Sequence, residues 1–465
     1  MNSVEEQIVK YVTFLRYDDI PSEVILATKK LVIDLFGALF AGSSAPGIDG
    51  TAGVIKEWGG KPESTIFLNE NKVPAPEAAL VNASIARAAD FDAYHIPTGS
   101  HPFPTVVPTA FAAAEYYGRV SGKEFLTAVI AGSEIAIRMR MVPDYCLGLS
   151  GWSSELHQHF GSAITAGKII GLSADEMWNA LGLAYAQAGS NFQGFRDGAD
   201  AVKLQQGFSA RSGLVSVMLA KRGITGASNF LQGKAGFYPV YYRGIPYDIN
   251  RLTDSIGERF EVLNLATKPY PTTGFLNGPI ENIIDIMKKN QLSRENIDKV
   301  ILLVGQRMYN NTCEPPEIKY RPKAEVDAMF SMPYAVGTAI YKGDVFLEDF
   351  TPKAILDPNR LREVDKIEPV LDQDIDDEAK ELNLPLSLHA AEIKTRSGKK
   401  VSQKMVYAKG SLQKPMSFED CAEKFKRCAQ FAVKQIPEDE LMKLIEMIHS
   451  LEQVKDVRTI TSLLT

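Results

Sequence analysis

Up to residue 266 the apolar positions recur at helical spacing, one run after another. Pro21 suits a first helical turn, where its missing N–H costs nothing, and the apolar run after it predicts a helix ending near Gly42. Pro76 opens an Ala-rich helical stretch that reaches Ala89. Ser121 is placed to cap a helix from Lys123 to Met141, and Ser173 with Glu176 makes a capping box for a helix running to about Gly189. A further Ala/Leu/Val-rich helix is predicted from about Phe208 to Arg222, ahead of Gly223.

The pattern changes at Lys268-Pro-Tyr-Pro-Thr-Thr-Gly, a run of turn formers that suits a domain boundary. Beyond it, Lys299 to Gln306 is a β-branched run, and His389 to Lys409 reads as two strands joined at residues 397–400. Ala324 to Tyr341 and Asp372 to Leu382 read as helices, and the amphipathic pattern returns over Phe418–Val433 and Glu438–Leu451. The fold class is therefore mainly α. A large all-helical domain is built from both chain ends (1–266 and 411–465), and a smaller α+β domain (267–410) is inserted in it.

Length and composition sharpen this only a little. A chain of 465 residues, 45% hydrophobic and 23% charged, is not a disordered tail, a collagen-like fibre or a disulfide scaffold. The 51 Lys+Arg against 57 Asp+Glu leave a net charge of −6, which argues against a nucleic-acid or anionic-membrane partner. Leu31 to Ala41 is apolar but short and carries Asp34, so it reads as a core helix and not a membrane span. The first residues lack a basic segment followed by an apolar one, so no signal peptide is read and a cytoplasmic location is expected. Of the four cysteines, Cys146, Cys313, Cys421 and Cys428, none forms a CxxC pair, and buried small side chains are the expectation.

Candidate chemistry gathers in the helical part. Four of the six histidines, His95, His101, His157 and His159, lie there, and Asp90 and Asp92 precede the first two. Ile96 to Pro104 is rich in Pro, Gly and Ser and reads as a loop, so titratable groups sit on a loop between apolar helices. Asp with His suits zinc, manganese or iron, yet there is no HExxH, so a metal-dependent hydrolase stays open but unspecific. Arg196 and Lys203 stand just before an apolar helix, where cations add to the field of free backbone N–H groups and favour a carboxylate. The glycines at 194, 198 and 207 do not make a dinucleotide fingerprint, and no P-loop, GxSxG or kinase signature occurs. His389 and His449, in a strand and a terminal helix, are given no role.

Several motifs in order resemble the MmgE/PrpD family, which includes 2-methylcitrate dehydratase, cis-aconitate decarboxylase and iminodisuccinate epimerase. They are Ala88-Ala-Asp-Phe-Asp with His101-Pro102, Phe160-Gly161 leading to Gly171-Leu172, Val202-Lys203-Leu204, Leu219-Ala220 with Gly223-Ile-Thr-Gly-Ala, Lys268-Pro-Tyr-Pro, and Ala328-Met-Phe-Ser-Met-Pro-Tyr334. The resemblance implies that the inserted domain is a lid, that the active site lies between the two domains, that the chain forms a homodimer, and that neither a metal nor an organic cofactor is needed. It implies a di- or tricarboxylate substrate and a lyase (dehydratase or decarboxylase) or epimerase acting beside a carboxylate.

Carried over by motif, the resemblance puts the family's aspartate on Asp90, its loop histidine on His101, its lysine on Lys203 and its late tyrosine on Tyr334. His101 is then the acid/base, Asp90 orients a catalytic partner, and Lys203 with Arg196 or Lys268 holds carboxylates. Tyr94 joins the catalytic set as a phenol donor, and His95, His157, His159, Arg196, Lys268, Asn277 and Tyr334 are expected to bind substrate. The chain departs from the family at Ala93 and Tyr94, where Asp and Thr are common, and at Asn277, where a histidine often stands. The usual His-x-Thr ahead of Phe160-Gly161 has Ser153 or His157 as its counterpart. The choice among dehydration, decarboxylation and epimerisation stays open, as does an inactive scaffold with the family fold.

Overall fold

The structure, a computed structural model, describes residues 3–69, 71–143, 151–382, 384 and 388–465, and for Arg196 the backbone alone. Cys146 lies outside the described residues. The chain divides into two compact units, Met1–Ala266 with Ser417–Thr465, and Thr267–Met416.

The first unit is a pack of helices. The Ser22–Gly42 helix lies against Phe418–Ala429 from the far end of the chain, and Ala75–Ala88, Phe103–Tyr117, Gly122–Met141, Gln158–Ile170, Ala174–Gln187 and Ala201–Ala220 complete the assembly. Local sequence sets the boundaries where it was read to do so. Ser121 and Glu124 exchange backbone bonds of 3.3 and 2.7 Å at one helix start, and Ser173 and Glu176 exchange bonds of 3.2 and 2.8 Å at another. Phe36, Phe111 and Phe125 are wholly buried and in ring contact, each contributing about 1.5–3 kcal/mol by leaving water.

The Ala201–Ala220 helix starts seven residues ahead of the expected Phe208. The physical reason is packing. Gly207 faces the Leu80 carbonyl and Ser84 hydroxyl of the Ala75–Ala88 helix so closely that a Cβ would collide. Gly213, on the same helix, is likewise pressed against Ser162 and the Ala163 amide. These glycines are contact surface inside the helix.

The second unit carries a four-stranded sheet. Ile297–Val304 runs parallel to Ile367–Leu371 on one side and antiparallel to His389–Thr395 on the other, and Lys400–Met405 closes that edge. The last two strands turn at residues 396–399, and His389–Thr395 alternates buried and less buried positions, as a half-covered strand should. Asn277–Lys289 packs on this sheet and on Met332–Lys342. The single helix expected over Ala324–Tyr341 is two, Glu325–Met329 and Met332–Lys342. Ser331 interrupts it by accepting the Tyr334 amide at 3.0 Å, and Pro333 falls in the new first turn.

Among the described residues no helix is long and apolar enough to cross a membrane. Cys313, Cys421 and Cys428 are free and buried, and burial raises the Cys313 thiol to about 11 and the Cys428 thiol to about 12.

Candidate active site

The Ala75–Ala88 helix ends at Ala88, and the next residues turn sharply: Asp90 adopts a left-handed φ of 47°, unusual for a residue with a side chain. The turn places Asp90 and Asp92 on one cation. The Arg87 guanidinium meets Asp90 Oδ1 through Nη1 and lies 3.4 Å from Asp92 Oδ1. The other Asp92 oxygen, Oδ2, is 2.6 Å from His101 Nδ1. Burial works against a charged Arg87, but Asp90, Asp92 and Glu155 around it outweigh that and hold the guanidinium protonated.

A tight turn delivers His101 to this group. The His95 amide donates to the Ser100 carbonyl at 2.8 Å and the Gly99 amide to the His95 carbonyl at 2.7 Å, with Gly99 at φ 64°. His101 is then fixed from the opposite side, where Gln206 Nε2 donates to its carbonyl at 3.2 Å and to Glu155 Oε1 at 3.1 Å. Thr105 donates to the same amide's oxygen, and Gln158 Nε2 donates to Ser100 Oγ at 3.2 Å. The His101 side chain is 13% exposed, against 4% for Arg87 and none for Asp92. Of these three groups the ring is the one best placed to be reached from outside.

Tyr94 stands next to this ring, with centroids 6.2 Å apart. Burial, and then the nearby Asp90 carboxylate, push its hydroxyl above the ordinary range, so it remains a phenol at neutral pH. His95 faces the other way. Its Nδ1 is 2.8 Å from Thr98 Oγ1 and its Nε2 is 3.5 Å from Glu261 Oε2. Burial alone would raise Glu261, but the partners His95, Asn264 and Arg259 bring it down to about 2.

The remaining candidates are distributed elsewhere. His157 spends Nδ1 on the Ser154 carbonyl (3.2 Å) and Nε2 on the Tyr242 hydroxyl (2.8 Å). His159 contacts Ser212 Oγ at 2.5 Å and the Gly189 carbonyl at 3.1 Å. Burial, aided by Arg140, pushes His157 well below the usual imidazole range, and burial pushes His159 to about 4. Both rings are neutral at pH 7 and occupied by core contacts. Lys203 donates to the Pro46 carbonyl at 2.9 Å and lies 3.1 Å from Asp200, at the first turn of its helix. Arg196 lies on the short Gln193–Asp197 helix.

Three candidates belong to the second unit. Lys268 and Asn277 are buried, and among the described residues the Asn277 Oδ1 has no hydrogen-bond partner. Tyr334 is wholly buried in that unit's core and donates to the Asp349 carbonyl at 2.5 Å.

The first unit thus brings together Asp90, Tyr94 and His101, and adds Asp92, Arg87, Glu155 and Gln206. Asp92, and not Asp90, is the carboxylate on the His101 ring. Arg87 was legible as a basic residue three and five positions ahead of two acids, whereas Glu155 and Gln206 carried no local signal. Among the described residues, no group of three or more His, Cys, Asp or Glu side chains is arranged to hold a metal ion.

Residues 6–250 match the MmgE/PrpD N-terminal domain and residues 270–451 the MmgE/PrpD C-terminal domain. The cis-aconitate decarboxylase-like protein oryM of Aspergillus oryzae is 26% identical, over 100% of this chain and 97% of its own length. The cis-aconitate decarboxylase of Aspergillus terreus is 23% identical over 100% and 96%. The human cis-aconitate decarboxylase is 24% identical over 100% and 95%.

Proposed function

The chain belongs to the MmgE/PrpD family, and from that membership and the geometry around His101 we infer an enzyme acting at the carbon next to a carboxylate of a di- or tricarboxylic acid. Family and relatives together support a lyase-type function. The finer reading is a dehydratase or decarboxylase, or else an epimerase, that calls on no added cofactor.

One observation carries this: His101 Nδ1 lies 2.6 Å from a buried carboxylate whose other oxygen faces Arg87. An ionised carboxylate has no proton to give, so Nδ1 carries the hydrogen, and in the ring's basic form the lone pair is on Nε2. A ring so oriented takes a proton from the substrate carbon and returns it to a product, while Asp92 stabilises the imidazolium formed in between. Removing a proton, or CO2, beside a carboxylate leaves an electron pair that spreads onto the carboxylate oxygens. In this reading a cation stabilises them, the role the family motif gives Lys203 although its ammonium here faces Pro46 and Asp200, and the Tyr94 phenol donates a hydrogen bond next to the ring. Tyr94 also fills space where a smaller hydroxyl residue is common in the family, which favours a compact substrate.

The test is proton NMR in D2O on a panel of citrate, 2-methylcitrate, cis-aconitate, iminodisuccinate and simpler 2-substituted succinates. Solvent exchange or conversion by the wild type, lost in His101→Asn, supports the reading. Conversion that His101→Asn retains overturns the role of His101.

A further inference from the structure

The Asp90–Asp92 turn is held by more than Arg87. Lys424, on the Phe418–Ala429 helix, extends its ammonium to within 2.6 Å of the Phe91 carbonyl, 2.8 Å of Asp34 Oδ1 and 3.8 Å of the Phe91 ring centroid. Its side chain is 4% exposed and that of Asp34 not at all. Close helix packing permits the reach. Gly37 lies one turn beyond Asp34, and a Cβ there would sit 3.4 Å from the Phe425 Cα, while the Phe40 and Phe425 rings meet edge to face at 5.0 Å. One lysine therefore grips both the backbone and the ring of Phe91. The residue before Phe91 is the left-handed Asp90 and the residue after it is the His101 partner Asp92. Asp34 is also close enough to Asp92 for the two carboxylates to repel, so the lysine's charge belongs to the same local field.

We propose that Lys424 is a positioning residue for the His101 chemistry: anchored on Asp34, it fixes Phe91 and thereby sets the Asp92 carboxylate on His101 Nδ1. The functional consequence rests on the reading of His101 as the acid/base; the positional claim does not. A clamp of this kind stabilises no substrate atom. Its loss lowers turnover and leaves substrate affinity nearly intact.

The experiment combines a spectroscopic and a kinetic readout on the full chain. A Nδ1 proton held in a short bond to a carboxylate gives a far-downfield proton resonance, assigned to His101 by its absence in His101→Asn. The wild type is expected to show it. Lys424→Met, checked for wild-type helix content by circular dichroism, is expected to lose or displace it, with kcat falling about tenfold or more and KM changing less than about threefold. Lys424→Arg, which keeps a buried cation with several donors, is expected to restore much of both.

Because an unpaired buried Asp34 threatens folding, Asp34→Asn/Lys424→Met serves as the second variant and removes both charges together. A folded methionine variant that keeps the resonance and the turnover overturns the proposal, as does a wild type without the resonance or an arginine variant that loses it. If the wild type turns over nothing in the panel, the proposed function fails while the resonance still decides the clamp.

Discussion

Asp92 Oδ2 and His101 Nδ1 meet at 2.6 Å, the carboxylate fully buried and the ring partly open. They are nine positions apart, and the whole Ile96–Ser100 turn is spent on bringing the second back to the first. The pairing makes unequal predictions for two neighbouring acids. Asp92→Asn removes the acceptor that sets the ring's tautomer, and it is expected to lower kcat by about 100-fold or more, within the range of general acid–base catalysis. Asp90→Asn disturbs Arg87 instead and is expected to cost less than Asp92→Asn. Steady-state kinetics on whichever panel substrate reacts will rank the two; a larger loss for Asp90→Asn contradicts the geometry.

Tyr94 gives a prediction about selectivity. Tyr94→Thr removes a buried ring from beside His101 and installs the smaller hydroxyl common in the family. The ratio of kcat/KM for a larger over a smaller acid is expected to rise by about 10-fold, the usual effect of a few buried carbon atoms on discrimination. An unchanged ratio in a folded variant places Tyr94 away from the substrate.

Three buried histidines, His95, His157 and His159, make stability fall in acid. His159 is depressed by burial from 6.5 to about 4, and His95 and His157 are lowered for the same first reason. As pH falls the unfolded chain takes these protons first. Their contribution is therefore complete above about pH 6.5 and is lost as pH falls toward 4, on the order of 3 kcal/mol for His159. Melting temperature measured from pH 8 to 4 should fall across that window, and less steeply in His159→Gln. Equal slopes in the two proteins contradict the assignment.

Much of the helical architecture was written locally. Ser121, and Ser173 with Glu176, cap the helices they foretold, and the β-branched run near Lys299 became an inner strand of the sheet. What escaped a one-dimensional reading depends on contacts across the chain. Gly207 looks like a place for a helix to begin after, yet another helix presses on it. Asp92 and Asp90 are indistinguishable in sequence, because only the left-handed turn at Asp90 decides which carboxylate faces His101. Lys424 stands 333 residues from the carbonyl it holds, beyond any local pattern. His157 and His159 are close in sequence to the other candidates, and what a linear reading does not give is that helix packing supplies both rings with partners in the core.

Gly213 offers a stability test of that packing. A methyl group there collides with Ser162 and the Ala163 amide, a backbone contact that does not yield easily. Gly213→Ala is expected to destabilise by about 3 kcal/mol, visible as a lowered melting temperature, despite alanine's better helix propensity. A stabilised Gly213→Ala protein shows that the two helices lie further apart.

The central claim is that His101, oriented by Asp92, moves the proton next to a substrate carboxylate. The most direct measurement is solvent deuterium incorporation or conversion across the carboxylate panel, followed by proton NMR for wild type and His101→Asn side by side. The account predicts reaction of at least one di- or tricarboxylate by the wild type and a loss of about 100-fold or more in a variant with unchanged circular dichroism. A folded His101→Asn protein that reacts at the wild-type rate contradicts it.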